Sequence, residues 1–343
     1  MTIEGNTSQV QVNMPIDVRK VSGDWYVVNL LAQPAYFKEP FFLDTLLVQY
    51  NIGLQKISPD ADCNLVRFLD YGNTTAALSL VPIDEFIAAF ESRHLENKPT
   101  FIFHMARCGS TLVTQMLNEC RYFYTISEPP VINMILDPGL NLPETLRLKL
   151  FKAVIHSIAS TAPVGSAQTV IKFRSWNILY LKQIIDIFPG CSWLFIHRNS
   201  AEVLASIVKK PPGWLRSKDS YAAFFSTNLA VSNTCIHEMS ANEFIARLLG
   251  LFCKIAGHSR NQKSHFVDYE NFQSDLFAYL DSLTEIEITT EEKKSMLTSL
   301  RLYSKDVTRM KIFENDSLVK IHALDAEQMT LTEKFAETER HKL

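Results

Sequence analysis

The chain has 343 residues with 34 basic and 37 acidic side chains, a formal charge of −3, and this near balance excludes a protein that holds nucleic acid or an anionic membrane by bulk charge. With 47% hydrophobic and 21% charged residues, and only 11 Gly and 14 Pro, the composition is that of a globular chain, neither disordered nor fibrous. A local basic pocket for a small anion stays open, so the expected partner is a small molecule, with no nucleic acid and no membrane.

The opening MTIEGNTSQV has no basic region ahead of an apolar core, and no run of about 18 apolar residues occurs anywhere. A cytoplasmic location is expected. Cys63, Cys108, Cys120, Cys191, Cys235 and Cys253 form no CxxC pair, which fits reduced thiols better than a disulfide frame or a zinc cluster. In that setting the sequons at Asn6 and Asn73 carry no meaning.

Residues 1–98 mix strand-like runs (Trp25 to Leu31, Asn64 to Leu69) with helix-like runs (Pro40 to Gln49, Ile83 to Arg93), an α+β extension. The polar run HLENKPT, from His94 to Thr100, ends in Lys-Pro ahead of a sudden apolar strand and marks the boundary, giving units 1–98 and 99–343. Beyond it, short apolar runs at Phe101 to Met105, Thr169 to Phe173, Ser192 to His197 and His265 to Asp268 predict strands covered on both faces. Between them, Leu112 to Asn118, Pro143 to Ala159, Trp176 to Phe188, Ala201 to Lys209 and Asn242 to Ile255 carry the three- and four-residue spacing of helices. Strand and helix alternate, so the expected fold class is α/β, a parallel β-sheet flanked by helices. Ligands of such sheets bind beyond the carboxyl ends of the strands.

After the first of these strands comes FIFHMARCGSTLVTQML: a turn at Arg107-Cys108-Gly109, hydroxyls at Ser110 and Thr111, then an apolar helix. Backbone amides at a helix start, a glycine that allows close approach and adjacent hydroxyls favour an oxyanion. An ordinary turn capped by Ser110 is the plainer alternative. Against the pattern GxxxxGK[ST], His104 stands at the first glycine and Ser110 at the lysine. The loop therefore suits a shorter anion than a triphosphate, such as a 5′-phosphate or phosphosulfate, with Arg107 as its cation.

The third of these strands leads into Arg198-Asn199-Ser200-Ala201-Glu202, a helix start with Asn199 as cap. Asn199, Glu202 or Val203, and Ser206 share a helical face, so Ser206 looks back toward the strand end where Arg198 emerges. A surface arginine and an unrelated helical serine would give the same spacing.

In order, then, come an R-x-G-S-T loop, Val170-Ile171-Lys172 at the end of a second strand, R-x7-S after a third, and Asp268-Tyr269-Glu270-Asn271-Phe272 at the next strand end. This combination, over roughly residues 100 to 275, resembles the PAPS-dependent sulfotransferases. The resemblance implies the P-loop NTPase-like sulfotransferase fold and a donor, 3′-phosphoadenosine 5′-phosphosulfate (PAPS), that leaves 3′,5′-ADP (PAP). It places Arg107, Cys108, Gly109, Ser110 and Thr111 on the 5′-phosphosulfate, and Arg198 and Ser206 on the 3′-phosphate. No metal is expected. Tyr269 and Glu270 would fix the strand end and border the nucleotide; Arg309 and Lys311 lie where the family often carries a basic loop over the 3′-phosphate.

Sulfuryl transfer spreads charge over the sulfonate and the leaving phosphate, so Arg107 and Lys172 are the expected catalytic cations, by analogy with phosphoryl transfer. A solvated strand-end lysine is the alternative for Lys172. Family members that sulfate phenols and steroids carry K-x-H at the second strand, whereas this chain reads Lys172-Phe173-Arg174. The base expected instead is Glu128, in Ile126-Ser127-Glu128-Pro129-Pro130, which resembles the acidic base of other branches. Partial burial is expected to raise its pKa toward the working range; a plain turn glutamate is the alternative. His104 is the reserve base, although a histidine in a buried strand is more often a satisfied core residue. Cys108, near a helix start, is either a thiol of depressed pKa or a small residue that fits. Tyr221, Phe224 and Phe225 either line an acceptor pocket or pack a helix.

The expected function is a sulfotransferase acting on a hydroxyl or amine of a small molecule, preferably a natural product, with residues 1–98 supplying acceptor or oligomer contacts. A P-loop small-molecule or nucleotide kinase and an inactive nucleotide-binding scaffold are the alternatives.

Overall fold

The computed structural model describes residues 12–21, 23–32, 67–71, 74–93, 95, 98–163, 165–166, 168–283, 286–300 and 317–343. These fall into two compact units. The helix-like run Pro40 to Gln49, the first half of the run from Asn64 to Leu69 (residues 64–66), and the basic pair Arg309 and Lys311 lie outside the described residues.

One unit is drawn from residues 1–96, 129–135 and 142–166. Its sheet is antiparallel, in the order β1-β2-β4-β3, from β1 (Val12–Val21), β2 (Asp24–Ala32), β3 (Arg67–Tyr71) and β4 (Thr74–Pro82). The helices Ile83–Glu91, Pro130–Ile135 and Glu144–Ser160 complete it. Pro15 has no N–H to give to the ladder, and the β1–β2 register shifts between Pro15 and Asp17. Asp17 is buried there, and its carboxylate accepts from the Val18 N–H at 2.8 Å and pairs with Arg19.

The other unit, drawn from 97–128, 136–141 and 167–343, is α/β. Its five-stranded parallel sheet runs β6-β7-β5-β8-β9, from β5 (Thr100–His104), β6 (Phe123–Ser127), β7 (Gln168–Lys172), β8 (Trp193–His197) and β9 (Ser264–Asp268). Helices flank it, among them Ser110–Asn118, Ser200–Lys209, Ala241–His258 and Phe272–Asp281. The unbroken apolar runs have the predicted consequence: every residue of β5 and β8 is buried. Phe103 stacks on Phe173 at 4.7 Å and meets Trp193 edge-on. The predicted helix from Trp176 to Phe188 is divided into a tight turn, Ser175–Tyr180, and a helix, Leu181–Ile187. The Asn177 side chain accepts the Arg174 N–H at 2.9 Å, which starts that turn directly beyond β7.

From β5 the chain passes to β6 and β7 on one side and later to β8 and β9 on the other. The reversal falls between β5 and β8, and it is beyond the carboxyl ends of such strands that doubly wound sheets form a crevice and bind ligands. Both predicted anion-binding turns, after β5 and after β8, are at these strand ends. No described helix is long and apolar enough to cross a membrane.

Candidate active site

The loop after β5 is built from unusual backbone. Ala106, Arg107 and Gly109 all have positive φ, at 69°, 50° and 89°, the left-handed region that costs a side-chain-bearing residue roughly 1–2 kcal/mol. Such conformations persist where the surroundings impose them, and they collect at ligand clamps. Two anchors hold this one. Met105 donates its N–H to the Ile196 carbonyl of β8 at 3.2 Å, and the Cys108 thiol donates to the same carbonyl at 3.1 Å. Burial pushes the Cys108 thiol up to about 12, against the lowering effect of the Met105 and Ser110 amides. The idea of a depressed thiol pKa is thereby corrected: Cys108 is a protonated anchor.

Gly109 precedes the helix Ser110–Asn118, and a Cβ there would lie 2.7 Å from the Tyr269 ring. Gly109→Ala is therefore expected to lower the unfolding free energy by about 1–3 kcal/mol, from the positive φ and the ring contact together. It should also displace Tyr269 and weaken anion binding. Chemical denaturation and ligand titration of the variant check both effects, and an alanine variant with unchanged stability and affinity would contradict this reading of the loop.

Arg107 is half-buried, with its Nε buried and without a hydrogen-bond partner. Lys172, the last residue of β7, stands beside this loop. It is only 2% exposed, and its Nζ stands 2.8 Å from Glu128 Oε1 and 3.4 Å from Thr111 Oγ1. The strand register explains this, since Ser127 pairs with Lys172 across the parallel β6–β7 ladder. The next residue, Glu128, donates its N–H back to the Lys172 carbonyl at 2.7 Å and takes a left-handed φ of 52°. Its second carboxylate oxygen lies 3.7 Å from Arg174 Nε.

The expected pKa of Glu128 is overturned in direction. Burial does pull it upward, but the charge of Lys172, the neighbouring His104 ring, the Lys172 hydrogen bond and Arg174 outweigh burial and hold it at about 2. A carboxyl lowered from 4.5 to about 2 stabilises the fold fully above its unfolded pKa, and that stabilisation is lost as pH falls toward 2. Glu128→Gln is thus expected to be less stable than wild type near neutrality, by on the order of 2 kcal/mol, with the difference closing below about pH 4.5. Urea midpoints across pH test this; a gap that stays constant into acid would contradict it.

His104 is a satisfied core histidine. Its Nδ1 accepts the Ala106 N–H at 3.1 Å, so the neutral ring carries its proton on Nε2 and donates to the Phe173 carbonyl at 3.0 Å. It props the strained loop and stands 3.9 Å from Glu128.

Beyond β8, Asn199 caps the helix Ser200–Lys209 as predicted, accepting from the Ala201 and Glu202 N–H groups. Arg198 is 4% exposed. Its guanidinium lies 4.0 Å over the Tyr269 ring, donates to Ser317 Oγ at 2.9 Å and pairs with Glu202, while its Nε is buried without a partner. Tyr269 therefore lies between the loop glycine and Arg198. Ser206 is buried farther along the same helix. Ser317 was not named from the sequence, and Glu202 only as part of the helix start, not as the partner of Arg198. Glu202 was legible as the residue four after an arginine on a helix face; Ser317 carried no local signal. Of the aromatic trio, Phe225 is core, packed against Phe244 at 5.0 Å. Phe224 packs on Trp176 and Tyr180, and Tyr221 donates its hydroxyl to Asp137 at 2.8 Å. Among the described residues no cluster of His, Cys, Asp and Glu could hold a metal ion.

No protein-family model matches the sequence, and no curated protein matches it. Among solved structures the chain is similar to the sulfotransferase STF9 from Mycobacterium avium, at 10% identity over 74% of this chain and 81% of that one, with a TM-score of 0.42. It is also similar to the sulfotransferase domain of the Synechococcus PCC 7002 olefin synthase, at 16% identity over 71% and 96%, with a TM-score of 0.42. Mouse sulfotransferase SULT7A1, solved in complex with PAP, matches at 10% identity over 80% and 98%, with a TM-score of 0.39.

Proposed function

We propose that this protein is a sulfotransferase that moves the sulfuryl group of PAPS to a hydroxyl or amine of a small molecule. The observation that carries the reading is a pair of arginines, half-buried Arg107 after β5 and buried Arg198 after β8, each with a buried Nε that lacks a hydrogen-bond partner. A buried donor without an acceptor costs about 1–3 kcal/mol, more when charged. Two such donors on adjacent strand ends fit a ligand with two separate anionic groups, as PAPS has at its 5′ and 3′ positions. Tyr269, flat beneath Arg198, supplies a wall for the nucleoside between them.

In this reading Arg107, the Ser110 and Thr111 hydroxyls and the helix start hold the 5′-phosphosulfate, and Arg198 holds the 3′-phosphate. Lys172, already against Thr111, stabilises charge on the leaving oxygen. Glu128 receives the acceptor proton. Its low pKa keeps it ionised but a weak base while Lys172 grips it, so its basicity rises as Lys172 turns toward the donor. The geometry works by positioning and charge, which suits a loose transfer of this kind.

The test is transfer of label. With PAPS radiolabelled in its sulfuryl group and a panel of phenols, alcohols and amines, label is expected on at least one acceptor class and to be lost with Arg107→Ala. Transfer of the γ-phosphoryl of ATP to the same panel, with none from PAPS, would make the protein a kinase and contradict the proposal.

A further inference from the structure

The turns that carry Arg198 and Tyr269 are tied together by a segment far along the chain. Glu337 accepts the Ser200 N–H at 2.9 Å, two residues after Arg198. Arg340 binds Glu337 through its Nε at 2.7 Å and reaches Asp268 Oδ2 at 2.9 Å, one residue before Tyr269. Glu337 and Arg340 side chains are 7% and 10% exposed, so the bridge is shielded from solvent and salt. Its foundation is specific. Residues Glu333–Glu337 form a wide π-type turn, and the helix Ala241–His258 makes room for it at Gly250, where a Cβ would collide with the Phe335 carbonyl oxygen. Arg247 from the same helix covers the Phe335 ring at 4.0 Å. Wide turns of this kind are rare and are frequently found at functional sites.

We infer that Glu337 and Arg340 are positioning residues for the donor site: a strut that fixes the turn of Arg198 relative to the turn of Tyr269. Glu337 holds the start of the helix Ser200–Lys209, and Asp268, held by Arg340, fixes the backbone from which Tyr269 projects. The Arg198–Tyr269 stack is thus set by two carboxylates bridged through one guanidinium, whose fork geometry lysine cannot reproduce. The consequence for donor binding rests on the function proposed above; the mechanical tie does not.

Hydrogen exchange on the full, ligand-free chain tests the tie. In Arg340→Ala the amides of Ser200 and Tyr269 are expected to exchange at least about tenfold faster, while those of β5 keep their protection. Titration with 3′,5′-ADP then tests the consequence. Affinity should fall about tenfold in Arg340→Ala and Glu337→Ala, with donor KM rising more than kcat falls. Glu337→Gln can still accept the Ser200 N–H but then turns its amide NH2, a donor, toward the Arg340 guanidinium, so it should recover only part of that loss, as should Arg340→Lys. Unchanged exchange at Ser200 and Tyr269 would overturn the strut. Faster exchange with unaltered 3′,5′-ADP affinity would overturn its role in donor binding. Failure of the wild-type chain to bind 3′,5′-ADP would instead remove the proposed function and leave the exchange result to decide the strut.

Discussion

Exchange of Lys172 for methionine is expected to lower turnover by about a hundred- to a thousandfold, the usual cost of removing one group that stabilises transition-state charge. Methionine fills most of the volume of a side chain that is 2% exposed, so a packing collapse does not confuse the result. Two further effects separate this cation from a merely structural one. Donor KM should change far less than kcat, because the lysine acts mainly on charge that develops during transfer. Glu128 loses the nearest of the charges that hold its pKa at about 2, so its carboxyl should titrate higher in the variant. Near wild-type turnover in a folded Lys172→Met protein would remove Lys172 from the chemistry.

The second large effect concerns Arg198. Hydrogen bonds to charged groups contribute about 1.5–3 kcal/mol each, so loss of this guanidinium should weaken 3′,5′-ADP binding by roughly 10- to 100-fold. Binding of 5′-ADP, which lacks the 3′-phosphate, should change little. The simple alanine variant also strands Glu202, a 5% exposed carboxylate, and an unpaired buried charge of that kind costs about 3–5 kcal/mol. Arg198→Gln combined with Glu202→Gln removes both charges together and keeps the measurement on ligand preference. If the double variant still prefers 3′,5′-ADP over 5′-ADP by the wild-type ratio, the 3′-phosphate is bound elsewhere.

Much of the parallel sheet was legible because its strands are continuous apolar runs, and a strand covered on both faces has no other composition open to it. The turn after β5 was legible for the same reason in reverse: Arg107-Cys108-Gly109 breaks an apolar strand abruptly. β6 was missed. Phe123–Ser127 is a short edge strand with a tyrosine, a threonine and a serine, and it follows a helix closely. β1 was hidden by Pro15, which argues against a strand until the register shift beside it is seen.

The candidate site divides along the same line. Arg107, Lys172 and Arg198 could be found because each ends or follows a strand. The state of Glu128 could not, because its pKa is set by Lys172 through the β6–β7 register, a contact between residues 44 positions apart in a strand pair of which one member was unseen. Sequence suggested partial burial and a raised pKa; the ladder placed a cation 2.8 Å away and reversed the sign. Glu337 and Arg340 were equally out of reach, since a short-range acid–base pair on a helix is ordinarily a solvated face and only the fold brings them to Ser200 and Asp268.

In the proposed function the strand ends of β5 and β8 read two anions on one nucleotide. Calorimetric titration of the purified chain with 3′,5′-ADP, 5′-ADP and ATP with magnesium tests it most directly. Preferential binding of 3′,5′-ADP is expected, by about tenfold or more over 5′-ADP, the value of one charge-assisted phosphate contact. At about 100 times its dissociation constant that ligand should also add roughly 2.7 kcal/mol to stability. Equal binding of 3′,5′-ADP and 5′-ADP, or a preference for ATP, would contradict the account.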